Sequence, residues 1–364
     1  MRVGLLTGGG DAPGLNGIIE SVVRSLALAG HEVVGICDGF EGVFEGRVRS
    51  LTPNDVHLIH ATAGTLLGTS NRVGTRGREA EFYAAYRRLV LDGLIVAGGD
   101  GTFAGLSPFV TETTEWGPPI QLVGVPKTLD NDLRGTDLTF GYDTACSVVA
   151  EAVDGLRLTA EAHRRLIVVE AMGRTAGWIA LGGGLASHAD AILIPERPYS
   201  LDALTRFVEG RRQVGQRGLV VVVAEGAAAQ SESVAVARQV DTGPAVAGGP
   251  DPFGVNRGPE AQRLGGIAAR LAGRLEEATG WESRVVVLGH LQRARAPTTT
   301  DRFLTTAMGV EAARMVVESA FSQAVVYRSG SVTRAPISDL IGEPRRVGPD
   351  HPWIRAAEAL GIFV

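Results

Sequence analysis

Four short apolar runs in the first 130 residues have the length and composition of buried strands. They lie at Val3–Thr7, Glu32–Cys37, Gly93–Ala97 and Gln121–Val125. Apolar residues recur every three or four positions at 15–29 and 78–91, which is typical of amphipathic helices. Strands that alternate with helices in this way predict a parallel α/β sheet.

The same alternation resumes near residue 142 and predicts a second α/β domain. Further apolar runs lie at Arg165–Ala171, Ala191–Glu196, Gly218–Ala224, Arg284–Leu288 and Gln323–Tyr327. Helical periodicity appears at 145–158, before 214, at 260–279 and at 301–319. Glycine and proline are frequent at 228–259 and periodicity is lost there, which indicates a flexible insertion.

Composition and charge narrow the classes of function. The net charge is -5 and the arginines are dispersed, which argues against a nucleic-acid surface. No apolar run approaches the roughly 20 residues that a membrane helix needs, and the first residues enter a strand pattern directly, so we expect a cytoplasmic protein without a membrane partner. Cys37 and Cys146 give neither a disulfide framework nor zinc-ligand spacing, and we expect both to be buried.

Glycine-rich loops follow the predicted strands. Gly8–Gly14 follows the first strand and Gly98–Thr102 the third, and the loop 64–72 combines glycines, hydroxyls and Arg72. Glycines let phosphate oxygens approach the backbone, and a carboxylate such as Asp100 can hold Mg²⁺ directly or through water. Loops at the carboxyl ends of strands in an open α/β sheet line one cleft, so these segments predict a phosphate site.

Lys127 is the only lysine among the 35 basic residues of the chain. It lies in Pro126–Asp132, directly after a predicted strand. Lysine is a compact point charge, whereas arginine is a wide planar fork, so a tight pocket for one phosphate oxygen can require lysine. The nearby Asp130 is a candidate base for phosphoryl transfer, which otherwise depends on positioning and electrostatic stabilisation.

Eight segments occur in the order and approximate spacing of one enzyme family. They are Gly8–Asn16, Gly98–Thr102, Pro126–Asp132, Phe140–Ala145, Met172–Arg174, Ile194–Glu196, Glu225–Gly226 and His290–Arg293. With these segments the chain resembles the bacterial-type 6-phosphofructokinases over nearly its whole length. The resemblance implies two Rossmann-like three-layer α/β/α domains with the active site in the cleft between them. The expected phosphoryl-donor domain comprises residues 1–141 and about 292–342, and the sugar-phosphate domain comprises 142–291 and about 343–364.

The resemblance also implies a reaction and its residues. ATP would transfer its γ-phosphate to the 1-hydroxyl of fructose 6-phosphate, a step of glycolysis. Asp130 would accept the proton, with Lys127, Thr128 and Arg174 at the transferred group, and Mg²⁺ would bind at Asp100 and Asp132. The donor-binding positions are Gly10, Arg72, Gly99, Asp100, Gly101 and Thr102. The sugar-phosphate positions are Thr128, Asp130, Arg165, Met172, Gly173, Arg174, Glu225, Arg284, His290 and Arg293.

In this family, two of the phosphate-binding arginines come from a neighbouring subunit. By resemblance these are Arg165 and Arg284, which implies a homodimer or homotetramer with shared active sites. Two departures concern the acceptor and its control. Ala294 and Arg295 replace two glycines, which leaves another acceptor such as sedoheptulose 7-phosphate open. Glu20 replaces an effector-site arginine, which predicts weak regulation by phosphorylated effectors.

The family resemblance leaves two phosphoryl donors open, ATP and pyrophosphate. Gly101 is the ATP-type residue, whereas Lys127 is the pyrophosphate-type residue. We favour ATP because a side chain at position 101 would block the α-phosphate, while a lysine can lie beside either donor. An NAD kinase or lipid kinase would share only the Gly98–Thr102 segment. A non-catalytic, ligand-sensing paralogue is the alternative outside the enzymes.

Overall fold

The computed structural model describes residues 1–110, 112–230 and 266–364. The described chain forms two compact units, one of Met1–Thr144 with Arg293–Glu343 and one of residues 145–230, 266–292 and Pro344–Val364. Nearly all of the predicted insertion at 228–259 lies outside the described residues, as does the first part of the helix predicted at 260–279.

Eleven strands and eleven α-helices are assigned within the described residues. The strands are β1 (Arg2–Thr7), β2 (Glu32–Ile36), β3 (Val48–Leu51), β4 (Gly93–Gly98), β5 (Leu122–Pro126), β6 (Leu166–Ala171), β7 (Ala191–Leu193), β8 (Leu219–Ala224), β9 (Ser283–Val287), β10 (Gln323–Arg328) and β11 (Ser331–Pro336). The helices are α1 (Leu15–Leu28), α2 (Phe40–Glu45), α3 (Glu79–Arg88), α4 (Asp100–Leu106), α5 (Tyr142–His163), α6 (Trp178–Ala186), α7 (Leu201–Gln213), α8 (Ile267–Thr279), α9 (Leu291–Ala294), α10 (Thr299–Val317) and α11 (Pro352–Ala359).

The first unit is built on a seven-stranded sheet of order β11-β10-β5-β4-β1-β2-β3. The five inner strands run parallel, and the outer strands β3 and β11 pair antiparallel at the two edges. Every residue of β4 and β5 is buried, as expected for central parallel strands covered on both faces. An aromatic cluster packs beside this sheet, with the rings of Phe40 and Phe82 edge to face at 5.5 Å between centroids.

The second unit contains a four-stranded parallel sheet of order β7-β8-β6-β9. Strands β6 and β8 are buried at every residue, which explains why the sequence shows them as continuous apolar runs. Strand β9 forms one edge of this sheet and is mostly exposed. The two units therefore confirm the predicted α/β fold class.

Several elements were not predicted from the sequence. The edge strand β3 has three exposed residues out of four, so it carries no apolar run. Helix α2 has only six residues, too few to show a helical period, and α6 contains a glycine triplet that masks its helical periodicity. Cys37 and Cys146 are half-buried, so the prediction that both are buried was wrong.

Asp301 connects the beginning of α10 with the beginning of α5. One carboxylate oxygen accepts hydrogen bonds from the backbone N–H of Thr144, at 2.9 Å, and from its hydroxyl. Thr298 caps α10 and donates to Asp143 at 2.6 Å. Asp301 is fully buried, and its Oδ1 has no hydrogen-bond partner among the residues that the structure describes. Burial raises the pKa of Asp301 to about 6, against the hydrogen bonds from Thr144.

This buried carboxyl predicts a pH dependence of stability. Its folded pKa is above its ordinary value of 3.8, so the folded state binds more protons and the free energy of unfolding falls as the pH rises from about 4 to 6. In Asp301→Asn that loss is absent, so the unfolding free energy of the variant minus that of the wild type should increase by about 2 kcal/mol between pH 4 and pH 7. Urea unfolding at each pH measures this difference. Asp154→Asn, a change at an exposed acid on α5, should keep the wild-type pH dependence; a constant difference for Asp301→Asn would contradict the assignment.

Candidate active site

Three polar loops meet at the carboxyl edge of the seven-stranded sheet because β1, β4 and β5 are neighbours. The backbone N–H of Gly8 donates to Ala97 at 2.9 Å, and that of Lys127 donates to Gly98 at 2.9 Å. The loops that follow these strands are therefore held side by side. This is the convergence predicted from the sequence for a phosphate site.

Lys127 lies inside this group of loops, with a relative exposure of 5%. Its ammonium group donates to the carbonyl oxygen of Gly10, so it ties the end of β5 to the loop after β1. Burial, followed by the charge of Arg293, lowers the pKa of Lys127 to about 8, while the carboxylates of Asp11, Asp130 and Asp100 act in the opposite direction. The lysine is thus a buried cation beside several acids.

The segment Thr128–Asp132 is fixed by its own hydrogen bonds. The Thr128 hydroxyl donates to Asp132 at 2.9 Å and accepts from the backbone N–H of Asp130 at 3.1 Å. Asn131 has a φ of 55° and accepts from the backbone N–H of Thr139 at 3.0 Å. Asp130 itself is half-buried. The loop therefore keeps one accessible carboxyl group beside a second that is paired with a hydroxyl.

The Gly98–Thr102 segment is not entirely a loop, because α4 begins at Asp100. Gly101 and Thr102 lie in the first turn of that helix and are buried. Thr102 packs on the loop after β1: a Cβ at Gly8 would lie 2.9 Å from the Thr102 hydroxyl oxygen. Arg72 is exposed, and its backbone N–H donates to the Ser70 hydroxyl at 3.2 Å.

Arg293 lies in the first unit, and its role at the sugar phosphate stays a prediction. Its guanidinium donates to the carbonyl oxygen of Asp11, and a Cβ at Gly10 would lie 3.2 Å from Arg293 Nη1. Arg293 and Lys127 therefore contact consecutive carbonyls of one loop. Two cations beside a glycine loop are a suitable environment for a polyphosphate.

The predicted Mg²⁺ residues, Asp100 and Asp132, belong to a crowded group of carboxylates. Burial, then the charge of Asp130, raises the pKa of Asp132 well above its ordinary value, and Asp100 adds to the effect. This crowding of carboxylates is what a divalent cation relieves. No group of three or more His, Cys, Asp or Glu side chains within the described ranges is arranged to hold a metal. Mg²⁺ commonly uses one or two carboxylates together with substrate phosphates, so Asp100 and Asp132 fit a metal that arrives with the donor.

The second unit holds the Met172–Arg174 loop after β6. The backbone N–H of Met172 donates to Gln292 at 3.2 Å, and that of Gly226 donates to Gly173 at 3.1 Å. A Cβ at Gly226 would overlap the Arg174 carbonyl oxygen, so the close approach requires glycine there. Arg174 Nη2 is buried without a hydrogen-bond partner among the described parts of the chain.

The other predicted sugar-phosphate residues also lie in this unit. Arg165 and Arg284 both contact the carboxylate of Glu282. His290 is exposed and lies shortly after β9, and Glu225 is half-buried directly after β8. The structure thus brings Arg165 and Arg284 together as a pair.

Glu20 is a buried acid rather than an exposed charge. Its carboxylate accepts from the backbone N–H of His60 at 3.0 Å, from the His60 ring at 2.8 Å and from Arg24 at 3.1 Å. These hydrogen bonds hold the pKa of Glu20 below its ordinary value although burial opposes them. The negative charge of Glu20 is therefore partly offset by neighbouring donors, and weak regulation by phosphorylated effectors stays a prediction.

Comparison with known families decides among the enzyme classes. The phosphofructokinase family model matches residues 2–316. The chain belongs to the phosphofructokinase family.

Two curated relatives cover this phosphofructokinase almost completely but differ in their named donor. It is 40% identical over 99% of its length to an ATP-dependent 6-phosphofructokinase of Chloroflexus aurantiacus, covering 97% of that protein. It is 41% identical over 96% of its length to a pyrophosphate–fructose 6-phosphate 1-phosphotransferase of Amycolatopsis methanolica, again covering 97%.

A solved phosphofructokinase from Pichia pastoris in the T-state matches 93% of this chain with a TM-score of 0.76 and 30% identity. This chain spans 35% of that much longer one. In the ranges that the structure describes, no helix is long and apolar enough to cross a membrane.

Three supporting residues were missed in the sequence. Gln292 is fully buried and holds the Met172 backbone, Asn131 fixes the loop that contains Asp130, and Glu282 joins the two arginines. The sequence feature that could have indicated Gln292 and Asn131 is their position inside two of the segments that carry the family resemblance. For Glu282 it was its position two residues before Arg284, since alternate residues of a strand share a face.

The single lysine makes its pKa directly measurable. Protein labelled with ¹³C at the lysine ε-carbon should give one side-chain signal with a titration midpoint near 8 rather than 10.5. Arg293→Gln removes a neighbouring positive charge and should raise the midpoint, because a nearby like charge disfavours the protonated form. Arg217→Gln, at an arginine in the second unit, is the charge-matched control and should leave it unchanged. A wild-type midpoint above 10 would show that Lys127 is hydrated rather than buried.

Proposed function

We propose that this protein is a 6-phosphofructokinase that transfers the γ-phosphoryl group of ATP to the 1-hydroxyl of fructose 6-phosphate, giving fructose 1,6-bisphosphate. Family membership and the ATP-dependent relative support the reaction. The observation that carries the proposal is the convergence of Lys127, Arg293 and three carboxylates beside one glycine loop. Buried cations next to a carboxylate base are the components that phosphoryl transfer requires.

The chemistry follows from the positions of these side chains. The half-buried Asp130 takes the proton of the acceptor hydroxyl as that oxygen forms a bond to the γ-phosphorus and the bond to the leaving phosphate oxygen breaks. Lys127, in its charged form, stabilises the charge on the donor phosphates. Mg²⁺, held by Asp100 and Asp132, would supply a further positive charge to the phosphate oxygens when bound. Thr128 orients Asp132 and also the backbone of Asp130.

Arg174 would serve the transferred phosphoryl group, as its family position implies. Its Nη2 is buried with no hydrogen-bond partner in the described residues, and a buried guanidinium N–H left unpaired has a strong tendency to bind an anion. Met172, Gly173 and Glu225 would contact the sugar. His290 and Arg293, with Arg165 and Arg284, would bind its phosphate.

Two residues decide the proposed donor. Gly101 lies in the buried first turn of α4, where an Asp side chain would occupy space beside the donor phosphates. Lys127 is a buried cation that suits either ATP or pyrophosphate. Pyrophosphate use is the second candidate, because Lys127 contacts the loop directly and the Amycolatopsis relative is named for pyrophosphate. Steric exclusion outweighs an added cation, so we propose ATP.

The proposal extends to the oligomeric state of the protein and to the sugar phosphate that accepts the phosphoryl group. Strand β9 is an edge strand, with Val285 and Val287 exposed at 38% and 56%. Exposed valines on an edge strand are suited to burial against a second copy of the chain, which supports a homodimer or homotetramer in which Arg165 and Arg284 serve a neighbouring site. Ala294 is exposed and Arg295 half-buried where the family has two glycines, so another phosphorylated sugar such as sedoheptulose 7-phosphate stays a possible acceptor.

Removal of the proposed base tests the reaction. Asp130→Asn should lower kcat about 10²- to 10⁴-fold with little change in KM for either substrate, because the amide accepts no proton from the sugar hydroxyl. Steady-state assays with fructose 6-phosphate, Mg²⁺ and ATP measure this. Asp154→Asn, at an exposed acid on α5, should behave as the wild type. Full activity of Asp130→Asn would show that Asp130 is not the base. If the wild type turns over no sugar phosphate with either donor, the proposed enzymatic function is refuted.

A donor exchange tests the role of Gly101. Gly101→Asp should lower kcat/KM for ATP at least about tenfold more than for pyrophosphate, because the new carboxylate repels and blocks the α-phosphate. Parallel assays of both donors give the ratio. Gly155→Asp introduces the same side chain on α5, where a Cβ meets nothing within 4 Å, and should leave the ratio unchanged. A wild type that prefers pyrophosphate would overturn the choice of ATP.

A further inference from the structure

The register of the second sheet puts two arginines and one glutamate on the same face. Leu166 pairs with Ser283 across β6 and β9, so Arg165 and Glu282, each one residue earlier, are neighbours. The backbone N–H of Leu166 donates to the Glu282 carbonyl oxygen at 3.0 Å. Arg284 lies two residues after Glu282, and alternate residues of a strand point to the same side. The three side chains are therefore adjacent because of the strand pairing.

One carboxylate binds both guanidinium groups. Arg165 donates to Glu282 through Nε at 2.9 Å and through Nη2 at 3.1 Å, which is the bidentate geometry of an arginine–carboxylate pair. Arg284 donates to the same carboxylate through Nη2 and to the carbonyl oxygen of Ser283 at 2.7 Å through Nη1. Hydrogen bonding from Arg165 lowers the pKa of Glu282, so the glutamate is ionised at neutral pH.

The other acid near this strand does not share the arginines. Glu276 accepts from the backbone N–H of Ser283 at 3.0 Å and from its hydroxyl at 2.7 Å. Its carboxylate is therefore engaged by the strand itself. Glu282 is the acid that contacts both Arg165 and Arg284 in the described part of the chain.

The ion pair is open to solvent. The side-chain exposures are 28% for Arg165, 46% for Glu282 and 52% for Arg284. Exposed ion pairs contribute little to stability, so the fold gains little from this arrangement. A ligand from solution reaches the same N–H groups, and a phosphate binds the arginine fork with the geometry that a carboxylate uses.

We propose that Glu282 is an internal counterion that a phosphate monoester displaces from Arg165 and Arg284, so that Glu282 sets the affinity of this pair for the phosphate. The inference rests on the proposed function only in naming a sugar phosphate as the ligand. The arginine pair and its bound carboxylate are features of the structure itself.

Two opposing effects follow from removing the carboxylate. Glu282 holds the guanidinium groups together, and its loss frees their side chains, which weakens binding. Glu282 also occupies the N–H donors and repels a dianion at contact distance, and its loss strengthens binding. Glu282 repels a doubly charged ligand at short range wherever the ligand contacts either arginine, whereas the loss of order is limited because Arg284 stays anchored to the Ser283 carbonyl. The net result is tighter binding of phosphate without Glu282.

Titration with inorganic phosphate at constant ionic strength tests this inference without catalysis. Glu282→Gln should lower the Kd for phosphate about three- to tenfold. Glu277→Gln, at an exposed glutamate of α8 with the same change in net charge, should leave the Kd unchanged. The gain of Glu282→Gln should disappear when Arg165→Ala and Arg284→Ala are added, because the gain requires both guanidinium groups.

An unchanged or raised Kd in Glu282→Gln would overturn the inference, and so would a gain that persists without the two arginines. Steady-state assays with fructose 6-phosphate then give a separate result. A lower KM for the sugar in Glu282→Gln, with kcat within twofold, is expected if the proposed function holds. A protein that binds phosphate as described but turns over no sugar phosphate would refute the proposed function and leave the role of Glu282 intact.

Discussion

The contact between the Lys127 ammonium and the Gly10 carbonyl holds the candidate site together. It connects loops after β5 and β1, which are separated in the sheet only by β4. That contact exists because the parallel arrangement brings the carboxyl ends of all three strands to one edge. The side-chain contacts of the candidate site therefore depend on the order of the strands in the sheet. The same adjacency brings Asp100 close enough to Asp132 to help raise the pKa of that carboxyl.

The central strands could be predicted from the sequence because burial on both faces imposes a continuous apolar run. Strands β4, β5, β6 and β8 are buried at every residue. The two antiparallel edge strands of the first sheet could not be predicted in this way, since β3 exposes three of its four residues and β11 three of its six. Their position depends on a neighbouring strand rather than on their own composition, which is why β-propensity depends strongly on context.

The same distinction applies to the candidate site. The segment Thr128–Asp132 was predicted from its residue types and its place after an apolar strand, and the hydrogen bonds that fix it join residues close together in the chain. The environment of Arg293 was not, because its contact with Asp11 joins residues 282 positions apart. Glu282 shows an intermediate case: its distance from Arg284 is local, but its pairing with Arg165 depends on the register of β6 and β9. Reactive side chains are therefore easier to predict from a sequence than the residues that position them.

The retention of one lysine in an arginine-rich chain has a physical explanation at this position. An arginine stays charged at any pH that a protein survives, whereas burial beside Arg293 brings the pKa of Lys127 to about 8. A charge that is only weakly favoured in the free protein would become strongly favoured if a polyphosphate binds here as proposed, because an anion at contact distance raises the pKa of an amine. Under the proposed function, donor binding and protonation of Lys127 are linked: above pH 8 binding takes up a proton from solution, whereas well below pH 8 the lysine is already protonated. An arginine at position 127 would bind the donor without this coupling.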